Sequence, residues 1–253
     1  MAKKKAEPVA EAQPKPEVPP RSFGAWLWDW AKSIAIALVV WMVLRTFLVE
    51  AFRIPSSSME NTLLVGDFLF VNKALYGAEV PFTGKHLPAI REPRRGDILV
   101  FDSVEPETPG MKIVKRLIGM PGDTLSMENG DLYLNGRKMD EPYAVRADPA
   151  KSEDPFQRAK MRQWQTPHLV NRDPATYQPD LHDWGPLVVP RDSFFMMGDN
   201  RDSSYDGRYW GFLARRSVRG TPLIVYFSYE PKSWRPLPFL TAVRWGRLFT
   251  RPH

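Results

Sequence analysis

The feature that most constrains this chain is a long apolar run near its start, between residues 26 and 52. Its uncharged centre, residues 33–44, is short for a helix that crosses a bilayer. If Lys32 and Arg45 extend their charged ends toward opposite interfaces, the apolar span becomes long enough to cross. The run therefore predicts a single transmembrane anchor over residues 25–50, and the rest of the chain must fold as a separate domain.

The flanks of this run favour an uncleaved anchor over two alternatives. A cleaved signal peptide would need a small-x-small cleavage site just after the apolar core, and none is found there. A buried core helix is less favoured because the run opens with residues typical of a membrane interface, Trp26, Trp28 and Trp30. The lysines at positions 3–5 predict a cytoplasmic N-terminus, although Arg45 and Arg53 weaken the charge asymmetry.

The amino-acid composition narrows the classes of protein and of functional site that remain. The 253 residues include no cysteine, which excludes disulfides, cysteine nucleophiles and cysteine-based metal sites. Residues 1–24 are charged and rich in alanine and proline, which predicts a disordered tail. The net charge of +6 suits nucleic acid or anionic lipid, but no nucleic-acid-binding motif is present. Basic and aromatic residues are interleaved in segment 231–253, a pattern that fits a membrane surface at least as well as a nucleic acid.

Beyond the anchor the pattern changes to short apolar segments bounded by turn residues. Gly-Asp pairs precede three segments of strand length, at residues 66–67, 96–97 and 122–123. Asn129-Gly130 lies between two alternating runs and is the strongest hairpin signal in the chain. We therefore expect a mainly β fold, with an antiparallel all-β domain over residues 51–230 after the single transmembrane helix.

The polar, proline-rich residues 140–190 interrupt this pattern. They predict an inserted subdomain of irregular or hairpin structure. Outside the anchor, no amphipathic helical run of convincing length is evident.

Three consecutive serines at positions 56–58 follow the anchor closely. A serine hydroxyl becomes a nucleophile only when a positioned base takes its proton. The histidines all lie in loops, the insertion or the C-terminus, so little supports a Ser-His-Asp arrangement. The alternative base is a desolvated lysine. Lys115 would share a strand face with Ile113 and Leu117, although an exposed lysine at a sheet edge is the competing interpretation.

Four motifs then occur in a recognisable order. They are IPSSSM at residues 54–59, RRGDILVF at 94–101, KRLIGMPGD at 115–123 and GDNRDSSYDGRYWG at 198–211. With the anchor, they resemble those of bacterial type I signal peptidases, membrane-anchored Ser/Lys proteases that remove signal peptides from exported proteins. The resemblance covers most of residues 30–230. One departure follows Met59, because the family usually has a proline two residues on and this chain has Asn61.

The resemblance implies roles for individual residues. Ser58 would be the nucleophile and Lys115 the general base, with the Ser56 side chain and the Ser58 backbone N–H as the oxyanion hole. Ser204 matches a serine that hydrogen-bonds and orients the base. Two supporting pairs are expected to hold the geometry of the site: Asp206 with Arg208, and Asp199 with Arg116. We expect no metal and no cofactor.

The implied substrate is the signal peptide of an exported preprotein, cut after an Ala-x-Ala type of site. It would pair as an extended strand against edges near residues 52–55 and 111–114. Shallow apolar pockets would then admit small side chains at the first and third positions before the cut. The predicted substrate-binding residues are Phe52, Ile54, Pro55, Met59, Leu63, Ile113 and Val114.

The resemblance also implies a location in the bacterial inner membrane, single-pass, with the catalytic domain outside the cytoplasm. The phospholipid bilayer is an expected partner, and proximity to the secretion translocon is a further expectation. Because only residues 50–55 separate the anchor from the serine cluster, Ser58 must stay within about 30 Å of the anchor's outer end.

Two other functions stay open on the sequence. A LexA-type self-cleaving protein shares the Ser/Lys chemistry, but it would carry a DNA-binding domain where this chain has an anchor. A non-catalytic, membrane-tethered β-scaffold that binds exported proteins would keep the anchor and the strands. Such a scaffold would have no reason to combine Ser58, Lys115 and Ser204.

Overall fold

The computed structural model describes residues 22–146 and 154–253. Residues 1–21, most of the predicted disordered tail, lie outside the described residues, as do residues 147–153 of the insertion. Helix α1 (Phe23–Phe47) has 25 residues, none of them buried. At about 1.5 Å per residue it is roughly 37 Å long, which exceeds the ~30 Å hydrocarbon core of a bilayer. In the described part of the chain, α1 alone is long and apolar enough to cross a membrane.

From residue 43 onward the chain forms a separate compact unit built on short strands. In chain order these are β1 (Val49–Arg53), β2 (Asp67–Asn72), β3 (Ile98–Asp102), β4 (Lys112–Gly119), β5 (Thr124–Glu128), β6 (Asp131–Leu134), β7 (Arg137–Lys138), β8 (Trp184–Val188), β9 (Ser193–Met197), β10 (Leu213–Ala214) and β11 (Val218–Ser228). Seven form a large sheet in the order β1-β2-β11-β3-β4-β9-β10, and four form a small sheet in the order β7-β6-β5-β8. Every described pairing between these strands is antiparallel, which confirms the predicted mainly β fold.

The large sheet is strongly curled. The register of β11 against β2 shifts between Pro222 and Ile224 and again between Val225 and Phe227. Such irregularities bend a strand and increase the local twist of its sheet. As a result, β1 and β4 line one cleft although β2, β11 and β3 separate them in the sheet order.

Apolar side chains on the two faces of the large sheet form separate clusters, because side chains alternate along each strand. The Leu63 cluster consists of Ile54, Met59, Leu63, Leu69, Val71, Ile98, Val100 and Val225. The Phe101 cluster consists of Leu99, Phe101, Leu117, Phe194, Met196, Leu213 and Val218. Along β4, Val114 packs against the Leu63 cluster and its neighbour Ile113 packs against the Phe101 cluster.

The small sheet contains the hairpin predicted at Asn129-Gly130. These two residues join β5 to β6, and Glu128 pairs with Asp131 across the turn. Their φ angles of 50° and 81° are the left-handed values that a two-residue type I′ turn requires. The hairpin prediction is therefore confirmed.

The prediction of irregular or hairpin structure at residues 140–190, with no helix outside the anchor, is wrong in part. Helix α2 (Pro155–Gln165) lies in this region, and strand β8 of the small sheet also comes from it. Asp154 caps α2 by accepting a hydrogen bond of 2.9 Å from the third helical N–H, and a proline occupies the first helical position. The helix is short and mostly polar, and burial of Met161 and Gln165 ties it to the domain. Two further helices have four residues each, α3 (Gly207–Trp210) and α4 (Pro238–Thr241).

The C-terminal segment 231–253 returns to the large sheet. Phe249 N donates to Val225 O at 2.7 Å. Arg247 binds the buried Asp67 carboxylate through Nε at 3.0 Å and Nη2 at 2.5 Å. Two tryptophans of the same segment are largely exposed, Trp234 and Trp245. Contact of this segment with a membrane surface stays a prediction.

Candidate active site

Residues 54–66 connect β1 to β2 and are called the nucleophile loop, after the role expected of Ser58. The chain folds back within it, and Leu63 N donates to Met59 O at 2.7 Å. The Met59 and Leu63 side chains are buried in the Leu63 cluster, which fixes the loop from below. From the other side, Asn200 N donates to Ser58 O at 3.1 Å. Ser58 is thereby held between the loop's own core contacts and the segment that follows β9.

The departure from the family's usual proline has a visible consequence in this loop. Asn61 adopts a φ of 86°, in the left-handed region. Proline holds φ near −65° and could not take this conformation, whereas asparagine is among the residues that tolerate it. Asn61 Nδ2 also donates to Tyr143 O at 3.2 Å. The loop is therefore built for asparagine at this position.

Lys115 reaches Ser58 from β4. The two side chains are buried, with 4% of Lys115 and 8% of Ser58 exposed. Lys115 Nζ lies 2.6 Å from Ser58 Oγ. Burial lowers the pKa of Lys115 from 10.5 to about 8, although the nearby charges of Asp206 and Asp199 oppose this effect. A lysine with this pKa has a substantial neutral fraction in mildly alkaline solution, so its amine can accept the serine proton.

Two buried ion pairs flank the Ser58–Lys115 pair. Arg208 Nε lies 2.9 Å from Asp206 Oδ1, and Arg116 Nη2 lies 2.6 Å from Asp199 Oδ2. Burial alone would raise the pKa of Asp206, but the charge and hydrogen bonds of Arg208 reverse this and lower it. Asp206 is consequently an anion, and its charge acts against the loss of the Lys115 proton.

The second pair also ties the nucleophile loop to β4. Thr62 Oγ1 donates to Asp199 Oδ2 at 2.5 Å and accepts from Arg116 Nη2 at 3.2 Å. The Arg116 guanidinium lies over the Tyr143 ring, 4.0 Å from its centre. Because Arg116 directly follows Lys115, this network fixes the part of β4 that carries Lys115.

Ser204 is buried, but its expected hydrogen bond to Lys115 is not among the described contacts. The Ser204 hydroxyl instead helps to lower the pKa of the neighbouring Asp206 carboxyl through a side-chain hydrogen bond. The side chain lies against Gly198, where an added Cβ would stand 2.2 Å from Ser204 Oγ and 2.4 Å from Ser58 O. Glycine at position 198 therefore leaves the space in which Ser204 and the Ser58 carbonyl both pack against this residue.

The groups expected to form the oxyanion hole lie beside the nucleophile. Ser56 Oγ is 3.4 Å from Ser58 Oγ. The backbone N–H of Ser58 donates no hydrogen bond to any described residue. A hydroxyl and a free amide are the kind of hydrogen-bond donors that can stabilise a developing oxyanion.

A cleft of about 350 Å³ opens beside these groups. Its walls come from β1 and its continuation, from β4, from the loop that joins β3 to β4, and from residues 203–210. Among the predicted substrate-binding residues, those that line it are Phe52, Ile54, Pro55, Met59, Ile113 and Val114. Leu63 does not line the cleft and lies beneath it, fully buried in the Leu63 cluster.

Two unpaired strand edges border this cleft. Within the described strands, β1 pairs with β2 alone. Residues 112–115 of β4 pair with β3 only, because the pairing with β9 begins at Arg116. Four antiparallel pairings separate β1 from β4 in the sheet order, so these two strands run in the same direction. Both lead toward the place where Ser58 and Lys115 meet. An extended peptide between these edges would find backbone partners on both sides.

The insertion supplies supporting contacts that the sequence analysis did not identify. Glu141 and Arg201 form a buried, two-pronged ion pair with distances of 2.6 and 2.7 Å. Val145 N donates to Asp199 O at 2.7 Å, and Arg201 N donates to Val145 O at 2.9 Å. Segment 141–146 thus holds Asp199 and Arg201, the two neighbours of Asn200, whose N–H donates to the Ser58 carbonyl. No pattern within 140–190 pointed to this role.

Comparison with known proteins identifies the family of this chain. Residues 27–227 match the family described as signal peptidase, peptidase S26. The chain is 35% identical over 228 residues to signal peptidase I of Pseudomonas aeruginosa, with 85% of this chain and 78% of that protein covered. It is 34% identical over 206 residues to signal peptidase I P of Bacillus subtilis subsp. natto, with 80% and 90% covered. A crystal structure of a signal peptidase I from Enterococcus faecalis V583 shares 31% identity over 53% of this chain and 98% of that chain, with a TM-score of 0.34. This chain therefore belongs to the signal peptidase family, peptidase S26.

Proposed function

We propose that this protein is a membrane-anchored signal peptidase I that cleaves exported preproteins after small-x-small sites with a Ser58–Lys115 dyad. The observation that carries the proposal is the 2.6 Å contact between Lys115 Nζ and Ser58 Oγ, at a buried position beside an open cleft. A buried lysine with a lowered pKa costs stability, and its contact with one serine does little to offset this cost. A catalytic role for the pair accounts for it directly. Helix α1 would serve as the anchor, with the N-terminus in the cytoplasm.

The proposed reaction follows from these positions. Neutral Lys115 takes the Ser58 hydroxyl proton as Ser58 Oγ attacks the scissile carbonyl carbon. The Ser58 N–H and the Ser56 hydroxyl donate hydrogen bonds to the resulting oxyanion. Lys115 then passes its proton to the leaving amine as the C–N bond breaks, which leaves an ester on Ser58. Lys115 next takes a proton from a water molecule as the water oxygen attacks the ester carbon. The bond between that carbon and Ser58 Oγ then breaks, Lys115 returns the proton to Ser58 Oγ, and the signal peptide leaves with a free carboxylate.

The cleft fits an extended peptide whose side chains alternate between two faces. Ile54, Met59 and Val114 form an apolar floor on the side of the Leu63 cluster. Side chains one and three residues before the cut would both face this floor, since alternate residues of a strand share a face. Little depth is available above buried Met59, which favours small side chains there.

The proposal is tested with the purified full-length chain in detergent micelles and a preprotein that carries an Ala-x-Ala site. We expect cleavage after the second alanine, identified by mass spectrometry. Ser58→Ala and Lys115→Met should each lower the rate at least about 10³-fold, as happens when triad groups are removed. Ser57→Ala is the matched control and should retain activity, because the Ser57 side chain has no part in the proposed chemistry. An inactive parent chain would favour the scaffold alternative, and an active Lys115→Met variant would eliminate the dyad.

A further inference from the structure

One end of the cleft carries a cluster of polar side chains that the proposed mechanism does not use. This polar corner consists of Glu105, Tyr205 and Lys160. Glu105 lies in the loop between β3 and β4, Tyr205 follows Ser204, and Lys160 belongs to helix α2 of the insertion. Glu105 and Tyr205 line the cleft directly. The corner therefore joins three distant chain segments at a surface that a bound peptide would touch.

The three side chains hold the Glu105 carboxylate in a fixed position. Lys160 Nζ donates to Glu105 Oε1 at 2.6 Å, and Tyr205 OH donates to the same oxygen at 2.7 Å. Lys160 Nζ also donates to Tyr205 OH at 2.5 Å. Burial alone would raise the pKa of Glu105, but these hydrogen bonds and the Lys160 charge lower it, so the carboxylate is ionised. Both donors use Oε1, and Oε2 has no hydrogen-bond partner among the described residues.

The faces of β4 indicate which peptide residue meets this corner. Val114 faces the Leu63 cluster, where the small side chains one and three residues before the cut would lie. Ile113 faces the opposite way and packs with Trp210 against the Phe101 cluster. Tyr205 and Glu105 line the same cleft as Trp210, which lies on this opposite side. The side chain two residues before the cut must point there, because it alternates with its neighbours.

We propose that the polar corner selects the residue two positions before the scissile bond, favouring a side chain that donates a hydrogen bond and disfavouring an acidic one. The inference rests on the proposed function and deepens it. The middle residue of the small-x-small site, which is otherwise unrestricted, becomes a position at which the enzyme selects its substrate. The Oε2 atom of Glu105 accepts the donor. Lys160 and Tyr205 are positioning residues, since they act through the carboxylate.

The test uses the full-length chain in detergent and two peptides that differ only at this position, Ala-Gln-Ala and Ala-Glu-Ala. Glutamine and glutamate have nearly the same shape, so the ratio of their kcat/KM values isolates hydrogen bonding and charge. We expect the parent to prefer the glutamine peptide about tenfold, as for one charge contact that solvent and Lys160 partly screen. A ratio measured within one enzyme is insensitive to losses in folding or in the catalytic step.

Two variants should move this ratio in opposite directions. Glu105→Gln removes the negative charge and leaves the Lys160 cation unpaired, so the ratio should fall to one or below. Lys160→Met leaves the carboxylate without its cation and should raise the ratio severalfold. Arg158→Met is the matched control, because it removes a cation from an exposed position of the same helix and should leave the ratio unchanged.

The outcomes separate this inference from the proposed function. A parent that cuts both peptides equally well would overturn the inference and leave the signal peptidase assignment standing. Equal ratios in the parent, Glu105→Gln and Lys160→Met would overturn it as well. The polar corner would then only connect parts of the fold and would not select substrate. A parent that cuts neither peptide would overturn the proposed function and this inference with it.

Discussion

Replacing Lys115 by methionine is expected to stabilise the fold at neutral pH while it abolishes cleavage. The Lys115 side chain is 4% exposed, and its burial lowers the pKa from 10.5 to about 8. Near pH 7 the lysine is therefore mostly protonated, and the folded state carries a charge that is poorly solvated. Methionine has a similar length and carries no charge, so it removes this cost.

The magnitude follows from the two pKa values. One pKa unit corresponds to about 1.4 kcal/mol, so a pKa of about 8 in place of 10.5 means a cost of about 3 kcal/mol below pH 8. The hydrogen bond to Ser58 is lost in the variant and offsets about 1 kcal/mol of this. The expected net stabilisation near pH 7 is about 2 kcal/mol, or about 4 to 8 °C in Tm for a domain of this size.

The sign of the pH dependence is fixed by proton binding. Between about pH 8 and 10.5 the unfolded chain holds the Lys115 proton and the folded chain does not, so the parent's free energy of unfolding rises with pH. Above 10.5 the lysine is neutral in both states, and the advantage of the variant disappears.

Thermal unfolding of the full-length chain in detergent, followed by near-UV circular dichroism at pH 7 and at alkaline pH, measures this effect. Lys85→Met is the matched control, since Lys85 is exposed and its replacement should not change Tm. A Lys115→Met variant that is no more stable than the parent at pH 7 would refute the reasoning. So would a stabilisation that stays constant as the pH rises through the Lys115 pKa.

Three further substitutions test other parts of the site. Ser56→Ala should lower kcat about 10²- to 10³-fold with little change in KM, because it removes an oxyanion donor; steady-state kinetics on an Ala-x-Ala peptide decides this. Gly198→Ala should lower kcat at least about tenfold, because its Cβ would stand 2.4 Å from Ser58 O and displace the nucleophile; the same assay measures it. Arg247→Ala leaves buried Asp67 without its cation and should cost about 3 kcal/mol, which a thermal unfolding scan measures.

Neighbouring positions supply controls for these variants. Gly246→Ala should be neutral, because no atom lies within 4 Å of an added Cβ there. Arg251→Ala removes an exposed arginine of the same segment as Arg247 and should leave Tm unchanged. Unchanged kinetics in Gly198→Ala would contradict the close packing around Ser58 O. An unchanged Tm in Arg247→Ala would show that the Arg247–Asp67 ion pair does not stabilise the fold.

Local patterns carried the successful fold predictions. The Asn129-Gly130 turn could be predicted because its left-handed φ angles depend on those two residues alone. Helix α2 was missed because most of its residues are polar, and two buried side chains, Met161 and Gln165, decide where it packs. Its sequence signal was present in Asp154-Pro155, a capping residue followed by a first-turn proline.

The residues of the site also differ in whether local sequence patterns could predict them. Strand alternation predicted that Ile113 and Lys115 share a face, but it left open whether Lys115 is buried or lies exposed at a sheet edge. The structure shows that Lys115 is buried. The pairs Arg247–Asp67 and Lys160–Glu105 could not be foreseen, because each joins residues that only the tertiary fold brings together. Their charged side chains look like ordinary surface residues until the packing around them is known.

The most direct test of the central claim, that neutral Lys115 is the general base for Ser58, is the pH dependence of kcat/KM. The measurement uses the full-length chain in detergent and an Ala-x-Ala peptide without titratable side chains near the cut. With a Lys115 pKa of about 8, kcat/KM should rise about tenfold per pH unit below pH 8 and level off above it. A profile that is flat between about pH 6 and 9, or one that levels off near pH 6.5 as for a histidine base, would contradict the account.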